Sequence, residues 1–70
     1  MNGYVKRELP PSALGRHFEF HRKLDGEVVE LIAGAGFAGE VPVPSVLVNA
    51  HVSPWRRNGH LIVDELVIVG

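Results

Sequence analysis

Cysteine is absent from the 70 residues, and that absence removes disulfides, thiolate zinc sites, iron-sulfur clusters and cysteine nucleophiles together. Net charge is also small, with seven Lys and Arg against eight Asp and Glu, for a balance of −1. No global field therefore draws the chain to nucleic acid or an anionic membrane, and any such binding must be local. No uninterrupted apolar run approaches the roughly 18 residues of a membrane span. The opening MNGYVKRELPPS lacks the apolar segment of a secretory signal. The expectation is a cytoplasmic protein, or one within a virion assembled there, with no membrane partner.

What is present is apolar and β-branched. The hydrophobic fraction is 46% and valine is the commonest residue, at 11 of 70. Apolar positions recur in twos more often than in threes and fours, which favours strands over helices. A domain of this length withdraws only about 60% of its unfolded surface from water. With no disulfide to help, association with further subunits gains weight.

Two dipeptides punctuate the chain, Asp25-Gly26 and Asn58-Gly59, each suited to a two-residue type I′ turn between antiparallel strands. Flanking the first turn with Leu24 and Glu27 opposes Phe20 to Leu31, Arg22 to Val29 and Phe18 to Ala33. One face then collects Phe18, Phe20, Leu24, Val29 and Leu31. The other collects His17, Glu19, His21, Lys23 and Glu30, with Val28 and Ile32, and sets His21 opposite Glu30. Building outward from Arg57 and His60 opposes Trp55 to Ile62, Ser53 to Asp64 and Ala50 to Val67. Pro54 cannot donate to a ladder, so its arm is predicted to be an edge, a bulge or a widening loop. The other arm, LIVDELVIVG, is apolar on both faces except at Asp64 and Glu65. It reads as a strand buried on both sides, one of them against another copy of the chain.

Residues 1–12 form an extended N-terminal segment, in which YVKREL is a short strand ended by Pro10-Pro11. A strand is expected near Val46 to Val52. The whole, residues 1–70, is predicted to be a single all-β, mainly antiparallel domain. Its form is a small five-stranded barrel or sandwich built from the two hairpins, broadly like SH3 or OB architecture.

Residues 34–45 form a connector containing Gly and Pro, which includes a literal G-x-G-x-x-G from Gly34 to Gly39. A phosphate-binding loop is disfavoured there, because Pro42 and Pro44 fall where its helix would run. Phe37 either anchors this connector or is exposed for a partner. His17 and His21, four apart on a strand, lie roughly 13 Å from one another, too far to share a metal ion. Ser12, Ser45 and Ser53 lie in no nucleophile motif. Asp64 and Glu65 are adjacent on a strand and point apart, a poor acid and base pair. No catalytic residue, cofactor or metal is expected.

The stretch SPWRRNGH places the chain's single Trp beside its single Arg-Arg pair at a hairpin tip. Trp and Arg are the types most enriched at protein hot spots. The expected function is thus non-catalytic contact with a protein partner through Trp55, Arg56, Arg57 and Phe37. The chain would act as a homo-oligomer, as a subunit or decoration of a larger assembly such as a viral one, or as a small inhibitory binder. The alternative is a nucleic-acid-binding barrel in which Trp55 stacks on a base while Arg56, Arg57, Lys6 and Arg7 hold phosphates. The bland option is a Trp that caps one end of the barrel.

Overall fold

Alternation along the chain produces five strands in the computed structural model, which describes residues 1–37, 40–57 and 59–69. They are β1 (Asn2–Ser12), β2 (Gly15–Arg22), β3 (Val28–Ala33), β4 (Val48–Arg57) and β5 (His60–Ile68). They close into one barrel in the order β1-β2-β3-β5-β4. Every seam is antiparallel except β3–β5, where Leu31, Ile32 and Ala33 lie parallel to Leu61, Ile62 and Val63. The all-β, mainly antiparallel, five-stranded barrel is therefore present. The parallel seam is an addition that the two-hairpin scheme does not foresee. It arises because the connector crosses to β4, whose hairpin then returns β5 alongside β3.

Inward-pointing residues fill the barrel: Val5, Phe18, Phe20, Leu31, Val48, Ala50 and Val63 form one buried cluster, with Val29, Leu61 and Leu66 packed against it. Phe18, Phe20, Val29 and Leu31 share a face as the alternation predicts. Their partners differ from the expected ones. Phe18 opposes Leu31 and Phe20 opposes Val29, a slip of two residues. The reason is the turn, a four-residue loop in place of a two-residue one. The Arg22 amide donates to the Glu27 carbonyl (2.9 Å), and the Gly26 amide donates to the Arg22 carbonyl (2.8 Å). Asp25 Oδ1 accepts from the Glu27 amide at 3.0 Å, and Gly26 alone supplies a positive φ, of 70°. Leu24 consequently sits in the loop and is 89% exposed, so it is not core. His21 faces Val28, and Glu30 faces Glu19. Ile32, expected on a solvated face, is fully buried there, between His17 and Ile62 in the register.

Pro10 and Pro11 do not end β1. The strand carries both through to Ser12, and its pairing with β2 is irregular between Leu9 and Ser12. The strand expected near Val46 begins at Val48 instead. β5 is not buried on both sides. Its parity switches across Asp64 and Glu65, so that Leu61, Val63 and Leu66 face the core while Val67, Ile68 and Val69 are exposed.

The connector closes one part of the barrel. Phe37 is half-buried, with its ring centroid 5.5 Å from that of Phe18. The Arg16 guanidinium lies over both rings, at 5.4 and 5.6 Å, and is held by two 3.0 Å bonds to Glu8. Phe37 thus anchors the connector. Of the glycine-rich run, Gly39 lies outside the described residues, and no helix follows from Glu40 to Val46.

Candidate binding site

The β4–β5 ribbon carries the Trp-Arg stretch, and Pro54 shapes it. Arg57 opposes His60 and Arg56 opposes Leu61, as expected from the turn. Gly59 has a φ of 81°, and Asn58 lies outside the described residues. The ladder then breaks. Between the pairs Arg56–Leu61 and Val52–Val63, Ser53, Pro54 and Trp55 stand against Ile62 alone. The expected oppositions of Trp55 to Ile62 and Ser53 to Asp64 do not form, and Ala50 faces Leu66, not Val67. Proline, lacking a donor, belongs in such a bulge. Ser53 Oγ accepts the Trp55 amide at 3.1 Å, which fixes the local turn and leaves the indole outside the core.

Trp55 is 75% exposed, so it does not cap the barrel. Arg56 and Arg57 are exposed beside it, and Arg56 Nη1 donates to the Gly59 carbonyl at 3.3 Å. Among the described residues neither arginine is in an ion pair. The other three arginines are each neutralised. Arg7 binds Glu19 (3.0 Å), Arg16 binds Glu8 (3.0 Å), and Arg22 binds Asp25 (2.8 Å) and also Glu27. The contacts are strong enough to move the carboxyls. Asp25 is pushed down to about 2, first by the Arg22 hydrogen bond and then by the Glu27 amide. Glu8 is lowered by Arg16, and Glu19 by His21 and then Arg7. The net charge of −1 therefore conceals an uneven surface. Arg7, Arg16 and Arg22 are compensated locally, whereas Lys6, Lys23, Arg56 and Arg57 are in no ion pair among the described residues, and two of these four stand together at the finger.

The remaining candidate residues do not join it. β1 meets β4 only at Asn2–Asn49 and Gly3–Val48, and the two strands leave that seam in opposite directions. Lys6 and Arg7 therefore diverge from Trp55, and Arg7 is occupied by Glu19. Phe37 belongs to the barrel packing. Three of the four histidines lie against carboxylates: His21 Nε2 is 2.9 Å from Glu19 and His51 Nδ1 is 3.6 Å from Glu65. His17 Nδ1 is 2.8 Å from Glu30, off the line a hydrogen bond needs. Ser12 Oγ and Ser53 Oγ accept backbone amides in turns. The feature missing from the sequence reading is the pairing of Arg16 with Glu8 and Arg22 with Asp25, which singles out Arg56 and Arg57. The i, i+3 spacing of Arg22 and Asp25 was the available signal.

No protein-family model, no curated protein and no solved structure matches the chain.

Proposed function

We propose that this protein is a non-catalytic binding module that engages single-stranded nucleic acid through Trp55, Arg56 and Arg57. The observation that carries the reading is the exposed indole flanked by two arginines without carboxylate partners among the described residues, on a chain whose other arginines are all paired. An exposed aromatic face stacks on any base, and adjacent guanidinium groups hold the backbone phosphates. The architecture adds support by analogy. In five-stranded OB-type barrels the loops after the first and fourth strands bind oligonucleotides, and this finger surrounds the β4–β5 connection.

Because Trp55 is the sole tryptophan, its fluorescence reports contact directly. Adding a short oligothymidylate should quench it, with an affinity that falls steeply as salt rises. Trp55→Ala should weaken binding by about 1–3 kcal/mol, and removing both arginines should flatten the salt dependence, with melting temperatures unchanged. Absence of quenching at low salt would overturn the reading. A protein partner is the second reading, favoured by the same exposed Trp and Arg, the side chains that dominate protein hot spots. Its mark would be binding that persists at high salt and depends on Trp55 far more than on the arginines.

A further inference from the structure

Beyond its contact with β3, one side of β5 has no strand partner among the described residues. The parallel seam ends where the Gly34 amide donates to the Val63 carbonyl at 2.8 Å, and β5 continues to Ile68 with β4 as its one neighbouring strand among the described residues. The ladder shows which backbone groups face the open side. The Val69 amide donates to the Leu47 carbonyl at 3.0 Å, toward β4. Opposed residues in an antiparallel pair alternate between exchanging both bonds and exchanging neither. With Asn49 opposite Val67 and Ala50 opposite Leu66, Val67 aims its backbone groups at β4, while Leu66 and Ile68 aim theirs away. The same alternation appears on β4, where Ala50 bonds to Met1 through both its amide and its carbonyl.

This edge is apolar as well as open. Val67, Ile68 and Val69 are 38%, 60% and 43% exposed, and the strand's charges, Asp64 and Glu65, lie before them. Edge strands usually carry a Pro, a Lys or an inward charge to prevent pairing, and residues 66–69 have none of these.

We infer that a second copy of the chain occupies this edge, with β5 pairing antiparallel to its own copy about a two-fold axis through Val67. In that register Leu66 meets Ile68 of the partner subunit, which forms about four interchain backbone bonds. Val67 meets its own copy, and Glu65 meets Val69 of the partner subunit. The charges select this arrangement. A parallel pairing would set Asp64 and Glu65 against their own copies, whereas the antiparallel one opposes Glu65 to an apolar side chain. A symmetric contact of this kind also shields surface that a small domain lacking disulfides leaves in water.

Cysteine replacement tests the register, because the chain has no thiol of its own. Opposed residues that exchange no backbone bonds have Cα atoms about 4.5 Å apart, within the range of about 4.4–6.8 Å that a disulfide spans. Under mild oxidation Val67→Cys should form a covalent dimer, and Asn49→Cys, its neighbour across β4, should not. Sedimentation equilibrium should show a dimer for the wild type and a monomer for Val67→Lys, with the far-ultraviolet circular dichroism retained. If the lysine variant unfolds, the cysteine pair decides. A wild type that is monomeric at every concentration, or a dimer cross-linked through Asn49→Cys and not Val67→Cys, would overturn the proposal.

Discussion

At Gly3 the barrel has no room for a side chain. A Cβ there would lie 2.2 Å from the His21 carbonyl oxygen and 2.6 Å from the Phe20 ring, so the absence of one is what lets β1 pass over a fully buried phenylalanine. Gly36 is the natural comparison, since among the described residues nothing stands within 4 Å of the same added atom. Gly3→Ala should therefore destabilise by about 1–3 kcal/mol through overpacking, and Gly36→Ala should stay within about 0.5 kcal/mol of wild type. Urea denaturation of the pair checks both. Equal midpoints would mean that the backbone at Gly3 relaxes freely.

Among the elements, the β2–β3 hairpin depends most visibly on charge. Arg22 holds Asp25, and Asp25 in turn receives the Glu27 amide. A carboxyl whose pKa falls on folding adds stability above its unfolded value and loses that stability as pH drops through the folded one. For Asp25 the window runs from the ordinary 3.8 down to about 2. Glu8 and Glu19, lowered from 4.5, begin to contribute their losses slightly higher. Urea midpoints should therefore decline from about pH 4.5 downward, and Arg22→Gln should flatten the most acidic part of that decline. An unchanged acid profile in the variant would remove Arg22 as the cause. The same hairpin shows what was legible in the sequence. Strand parity is indifferent to a slip of two, so Phe18, Phe20, Val29 and Leu31 could be assigned to one face without knowing the loop length. Leu24 could not, because its place depends on whether Asp25 takes a turn position or bonds its own backbone. At the finger, Pro54 announced an edge, a bulge or a widening loop, but which of these forms, and hence the exposure of Trp55, depends on Ser53 Oγ and on how the barrel closes. The neutralisation of the other arginines was hidden for a similar reason. Glu8 and Arg16 become neighbours only once β1 and β2 pair.

For the whole molecule, the narrow seam between β1 and β4 has a consequence in time. It joins the start of β1 to the start of β4, far along the chain, through the pairs Asn2–Asn49 and Gly3–Val48, with Met1 and Ala50 adding a further link. Each hairpin forms from near neighbours, whereas this closure must bring distant segments together and bear the loop entropy of doing so. It should be the last contact made during folding and the first released in the native state. Amide hydrogen exchange would register this as a ranking. The Ala50 amide, bonded across the seam, should exchange through local opening, while the amides of Phe20 and Leu31 should wait for global unfolding. Uniform protection across all three would mean that the barrel opens only as a unit. Otherwise the sheet breathes along that line, and the β4–β5 ribbon has a hinge of its own.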